Sequence, residues 1–156
     1  MAFRTACLIL RNAADAEEAV QDAYLRAWRF RASMPSDEGV RPWLYRVLVN
    51  ACYSKLRSET RHRSRTAGDE PLAVVAGGAD TEAAAGRAEM AAAVKAALST
   101  LPEHLRVAVV LRYYSGLSEA EIAAAIGKRP GTVKSRLHEA KRRLAGDPAL
   151  ATWGEP

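Results

Sequence analysis

Cysteine is nearly absent: Cys7 and Cys52 are the only two in 156 residues. Neither has histidine partners at metal-ligand spacing, so no zinc site is expected. Each falls in an apolar helical pattern and reads as a buried small hydrophobe. Histidine is as sparse, with His62, His104 and His138 scattered along the chain. No glycine loop that would cradle a phosphate is present. These absences argue against an enzyme: no catalytic residues, no metal and no cofactor are expected. No apolar run is long enough to span a bilayer. The start, Met1 to Leu10, lacks a small-residue cleavage signal, so a soluble cytoplasmic protein without a membrane partner is the expectation. Strand patterns and internal repeats are missing as well, which leaves an all-α chain.

What is present is charge, and it is segregated. The net charge is +5, which favours a polyanionic partner only weakly by itself. The distribution is more telling. Lys55, Arg57, Arg61, Arg63 and Arg65 form one basic cluster, and Lys128, Arg129, Lys134, Arg136, Lys141, Arg142 and Arg143 a second. Between them lie Asp69, Glu70, Asp80, Glu82 and Glu89, opposed only by Arg87. Two basic blocks around an acidic connector imply two contacts with nucleic acid.

The stretch from Gly116 to Leu144 reads as a helix-turn-helix unit. Ser118 can cap a helix, and Glu121 three residues on completes a capping box, with Leu117 and Ile122 as the staple around it. Gly127 stops that helix in a left-handed conformation. Pro130 opens the next one, where its missing N–H has no partner to lose. Val133, Leu137, Ala140 and Leu144 form the buried stripe of the second helix. Thr132, Lys134, Ser135, Arg136, His138, Lys141 and Arg142 are left on the outside, with Lys128 and Arg129 before them. Such side chains suit guanine edges and phosphates in the major groove.

The N-terminal part reads as three helices. The first carries Phe3, Ala6, Cys7 and Leu10 on its apolar face. Asp15 can cap the second, which runs to about Phe30 with Ala16, Ala19, Val20, Ala23 and Ala27 inward. After a loop from Ala32 to Gly39, Pro42 starts a long third helix from about Arg41 to Arg61, with Leu44, Val47, Leu48 and Ala51 inward. Arg46, Asn50, Tyr53 and Arg57 share one of its faces and Arg61 extends it. Asn reads base edges, Tyr stacks on unpaired bases and Arg holds phosphates. Trp43 reads as core. The second helix has an opposite character: Asp15, Glu18 and Asp22, with Gln21, make an acidic face that would repel DNA and suits either solvent or a basic protein partner.

From Thr66 to Gly86 the composition is that of a linker. A helix is expected from near Thr81 to Leu98, and another opened by Pro102 and ended by Gly116. The division is therefore 1–65, a linker over 66–91, a helix-turn-helix unit over 92–146 and a tail over 147–156. With so little in the linker to pack, the two units are expected to move independently in the free chain.

Asp15-Ala-Glu-Glu-Ala-Val-Gln-Asp-Ala-Tyr-Leu-Arg-Ala-Trp28 resembles the second region of bacterial RNA polymerase sigma factors. Arg41-Pro-Trp-Leu-Tyr-Arg-Val-Leu-Val-Asn50 looks like its continuation. Leu101-Pro-Glu-His-Leu105 through Leu144 looks like the fourth region. Two such regions joined by a short linker resemble the extracytoplasmic-function (ECF) group. The resemblance implies that Asp15, Glu18, Gln21 and Asp22 dock on the clamp helices of the largest subunit of core RNA polymerase. It implies that the loop 33–40, Asn50 and the Arg57 face read and help melt the downstream promoter element. It gives Thr132, Lys134, Ser135, Arg136 and their neighbours the upstream element as duplex. It also implies an anti-sigma partner. A helix-turn-helix regulator that never engages polymerase is the alternative.

Overall fold

A computed structural model describes residues 1–63 and 82–146, the side chains of 59–63 and 82–88 excepted. Most of the expected linker, the tail over 147–156 and the side chain of Arg61 lie outside the described residues. Everything described is helix or the turns between helices.

Helix α1 spans Ala2–Leu10 and ends where Arg11 turns left-handed at φ 64°. Its inward face is Thr5, Ala6, Ile9 and Leu10, while Phe3 stands 45% exposed, so the expected face is rotated. Helix α2, Ala13–Arg29, is capped by Asn12, whose side chain accepts from the Asp15 amide at 3.1 Å. The cap thus falls three residues before the expected Asp15, which instead places its charge in the first turn, where the helix dipole favours it. Ala16, Ala19 and Ala23 form the buried stripe of α2. Helix α3 runs Val40–Arg63 after two short 3-10 turns at Arg31–Ser33 and Asp37–Gly39. α1, α2 and α3 pack pairwise into the first unit.

Helix α4 covers Glu82–Thr100, and α5, Glu103–Val109, starts directly after Pro102. The chain then widens into a π turn over Val110–Tyr114, with the Ser115 amide donating to the Val110 carbonyl at 3.0 Å. Gly116, at φ 68°, reverses the chain. Helix α6, Glu119–Ile126, has the full capping box: Ser118 Oγ accepts from the Glu121 amide, and Glu121 accepts from the Ser118 amide. Gly127 closes it at φ 62°, and α7, Pro130–Ala145, begins on Pro130. Val133, Leu137 and Ala140 are buried as the spacing requires.

The capping box gives a pH-dependent stability. Hydrogen bonds from Ser118, then the charge of Arg41, hold the Glu121 carboxyl below its ordinary pKa of 4.5. A depressed folded-state pKa stabilises above the unfolded value, and the contribution is lost as pH falls through the folded one. Glu121→Gln is expected to flatten the acid limb of the thermal stability curve below about pH 4.5. Ser118→Ala is expected to cost about 1 kcal/mol at neutral pH. Melting temperatures across pH check both, and an unchanged acid limb in Glu121→Gln would refute the assignment.

The two units do not stand apart. α6 lies along α3, and α5 with its π turn rests against α1. The expectation of independent motion is contradicted, and the reason lies in α3. Besides Leu48 and Ala51 it buries Val49, Cys52 and Leu56, while Leu44 is 45% exposed. α3 therefore has more apolar surface than its own unit covers, and the second unit buries the remainder. One core cluster runs from Ala6 and Ala16 through Val49 to Leu111, Ile122 and Val133.

Candidate nucleic-acid and polymerase interfaces

On α7 and the turn before it, Lys128, Arg129, Lys134, Ser135, His138 and Arg142 are exposed, whereas Thr132 and Arg136 are half-buried. Arg129 occupies the cap position without capping, so no side chain satisfies the first amides of α7. Pro130 has no N–H and the Thr132 and Val133 amides donate to the Arg129 carbonyl, so it is chiefly the flanking cations that suit this end of the helix to phosphate. Not every cation is equally available. Arg142 and Arg143 both bind Glu139, and Lys141 lies 5.7 Å over the ring of Tyr113. The hydrogen bond from Arg143, then the charges of Arg142 and Arg143, hold the Glu139 carboxyl below its ordinary pKa. The Ser135 hydroxyl donates to the Thr132 carbonyl at 3.0 Å, which leaves its oxygen free to accept.

On α3 the expected four-residue face is divided. Arg46, Asn50 and Arg57 are exposed, but Tyr53 is half-buried and turned toward the second unit. Burial pushes the Tyr53 hydroxyl above its ordinary pKa, while the facing Arg136 guanidinium pulls it down by charge and by a hydrogen bond; Glu103 raises it. So Tyr53 and Arg136, expected to contact different promoter elements, face each other. The spacing i, i+4, i+7, i+11 places residues on a common arc, and cannot tell which edge of that arc another helix will cover. Trp43 is half-buried.

On α2, Glu18 and Gln21 are exposed and Asp15 and Asp22 half-buried. Glu18 is ion-paired with Lys55 of α3, and Asp22 with Arg26 at 2.9 Å. The sequence reading missed the apolar half of this surface. Tyr24, Leu25 and Trp28 are 68%, 68% and 70% exposed, and Phe30 is 55% exposed. Leu25 and Trp28 continue the Gln21 face at helical spacing. The available signal was that the inward stripe consists of alanines, which leaves the large apolar residues outside. Arg31 lies 4.4 Å over the Trp28 ring. An apolar groove of about 210 Å³ opens beside this helix, lined by Val20, Tyr24, Leu44 and Tyr45 among others.

Among the described residues no group of three His, Cys, Asp or Glu side chains is placed to hold a metal ion. Among the same residues no helix is long and apolar enough to cross a membrane.

Comparison with known proteins agrees with the two-unit arrangement. Residues 1–62 match Sigma-70 region 2, and residues 91–144 match Sigma-70, region 4. The ECF RNA polymerase sigma factor SigM of Mycobacterium tuberculosis is 42% identical over 142 residues, spanning 91% of this chain and 68% of that protein. The ECF RNA polymerase sigma-E factor of Escherichia coli is 33% identical over 137 residues, spanning 83% of this chain and 72% of that protein. Among solved structures, the sigma factor RpoE in complex with the anti-sigma factor NepR from Bartonella quintana aligns with a TM-score of 0.73 at 28% identity, over 91% of this chain and 86% of that one. With both sigma regions matched in order on the helices that carry the basic and acidic surfaces, and with ECF relatives at this identity, the chain belongs to the ECF group of RNA polymerase sigma factors.

Proposed function

We propose that three surfaces divide the work of this transcription-initiation factor. The face of α2 bearing Asp15, Glu18, Gln21 and Asp22, with Leu25 and Trp28 beyond them, docks on the clamp helices of core RNA polymerase. Arg46, Asn50, Tyr53, Arg57 and Arg61 of α3, with the loop 33–40, engage the downstream promoter element. Capturing unpaired bases exchanges pairing and stacking energy for pocket contacts, which favours the melted state without any bond chemistry in this subunit. Lys128, Arg129, Thr132, Lys134, Ser135, Arg136, His138 and Arg142 read the upstream element as duplex. The polypeptide divides at 1–65, 66–91, 92–146 and 147–156 into the second region, a linker, the fourth region and a tail, and it works in the cytoplasm, where the polymerase is. An anti-sigma protein is a further proposed partner; a solved relative is bound by one, and the apolar groove beside α2 offers a helix a seat.

The observation that carries this reading is the α2 face, acidic at one end and apolar at the other, in a basic protein. A plain DNA-binding regulator has no use for it. Asp22→Lys is the cleaner probe, because Glu18 also anchors Lys55 and its reversal would disturb α2 against α3. Asp22→Lys is expected to abolish promoter-directed initiation by purified core polymerase while duplex binding by the chain persists. Normal initiation by that variant would return the reading to a regulator that works without polymerase.

A further inference from the structure

Glu139 is the single acidic residue of α7, and it stands in line with side chains assigned to DNA. It follows Arg136 by three residues, Ser135 by four and Thr132 by seven, so all of them share one side of the helix. A bare carboxylate there would meet the phosphates of a duplex as a like charge. It is not bare: Arg142 donates to its Oε2, and Arg143 Nε to its Oε1 at 2.8 Å. The arginines follow the glutamate by three and four residues, the order in which such pairs support a helix. The bond from Arg143 above all keeps the carboxyl ionised. This engagement is confined to the far end of α7, where Lys141 also lies over the Tyr113 ring. Lys128, Arg129 and Lys134, at the other end, are exposed and take part in none of the ion pairs among the described residues. The cationic field of α7 is therefore full at its first turns and trimmed at its last.

We propose that Glu139 is a specificity-determining residue: by cancelling part of the arginine charge at the far end of α7, it limits the sequence-independent attraction of this helix for duplex. The inference rests on the assignment of α7 to the upstream promoter element. Binding without base contacts depends on how many phosphates are neutralised and is the same for every sequence. A cation freed at the far end would let a random duplex lie along α7 in any register that brings a phosphate to it. On the promoter, contacts from Ser135 and Arg136 to the bases fix the register, so the same cation helps only where a phosphate already lies within its reach. Removing the Glu139 charge therefore favours random duplex more than promoter. Selection among sequences is the ratio of those two affinities, and the carboxylate protects that ratio. Arg142 and Arg143 remain 71% and 50% exposed, so the pairing weakens their pull on phosphate without withdrawing them from the surface.

The test compares the wild type with Glu139→Gln, Glu139→Asp and Lys134→Ala, each assembled with the same core polymerase so that the contribution of core is common to all. Duplex carrying the upstream element and random duplex of the same length are titrated at several salt concentrations. Glu139→Gln is expected to bind random duplex about eightfold more tightly at about 0.1 M salt, and to steepen its slope of log K against log salt by about 0.9, the effect of one more released counterion. Its affinity for the upstream element should rise less, so that discrimination falls. Glu139→Asp keeps the charge and should keep the wild-type ratio. A Glu139→Gln variant that shifts only the melting temperature, with the random-duplex slope unmoved, would reduce the ion pairs to helix support and overturn the proposal. Equal gains on both duplexes would overturn the specificity role. A changed preference at one base position, with the random-duplex slope unmoved, would overturn it too and make Glu139 a reader of that base. Lys134→Ala separates this idea from the reading beneath it. If Lys134→Ala lowers the slope while Glu139→Gln changes nothing, α7 stays on the duplex without this restraint. If neither variant alters binding, the assignment of α7 to duplex fails as well.

Discussion

Trp28→Ala is expected to weaken binding to core polymerase by about thirtyfold while leaving the fold intact, since interface tryptophans that act as anchors are worth about 2 kcal/mol or more. The indole is 70% exposed, so the fold gains little from it and its loss should move the melting temperature only slightly. It is nevertheless held in position, because Arg31 stacks over the ring and α2 fixes the backbone beneath it. A large apolar group that is rigid, exposed and adjacent to Leu25 is the arrangement expected of an anchor awaiting a partner. The acidic residues on the same face steer and orient the encounter, and mutating them should act mainly on the association rate and its salt dependence. Trp28→Ala should instead accelerate dissociation. Competition against the wild-type chain for a limiting amount of core polymerase measures the effect. Equal competition by the variant would show that the apolar end of α2 is not part of the docking surface, whatever the acidic end does.

The pattern of success and failure in reading the sequence has a physical basis. The α6–α7 unit was legible to the residue because its determinants are local. A serine three before a glutamate, a glycine that must turn left-handed and a proline at a helix start act within one turn of chain. Faces were legible where the inward stripe contrasts clearly with a charged outer face. Val133, Leu137 and Ala140 of α7 and Ala16, Ala19 and Ala23 of α2 came out buried as expected, whereas Leu144, expected with the α7 stripe, is half-buried, and so is Arg136, expected outside. α1 did not: Thr5 is buried because it meets Ser115, 110 residues away, and Phe3 is pushed outward. Nothing near Thr5 in sequence announces that partner. α3 failed in the same way, since a helix covered from two sides loses the periodic contrast that periodicity arguments need. Val49 and Cys52 belong to its second covered side. Tyr53 is the functional consequence. Its residue type and spacing pointed to DNA, and the packing of the fourth region turned it onto Arg136. The docking surface was half legible, because charge on a basic background stands out while an exposed leucine or tryptophan cannot be told from a buried one without the packing.

The replacement of Lys128, Arg129 and Lys134 by alanine together is expected to reduce the salt dependence of promoter binding by roughly 3 in the slope of log K against log salt, because each phosphate that is no longer neutralised takes about 0.9 from it. All three side chains are exposed, at the turn and the first turns of α7, where no side chain caps the helix. None is in an ion pair within the protein among those the structure describes, unlike Arg142 and Arg143, which Glu139 already holds. Their charge is therefore available to phosphates without first breaking a bond, and their removal should not disturb the core of Val133, Leu137 and Ala140. The affinity loss should be nearly independent of base sequence, since phosphate contacts set position and not specificity. Ser135, whose oxygen remains free to accept, and Arg136 should behave in the opposite way. Substituting them should blunt discrimination between promoter variants by about 1–3 kcal/mol for each base no longer read and change the salt slope by no more than about 1. Holoenzyme binding to a promoter and to single-base variants of its upstream element, titrated at several salt concentrations, separates the two groups. If the triple replacement altered sequence preference and left the slope unchanged, the turn at Lys128 would have to be reassigned from the phosphate backbone to the groove floor.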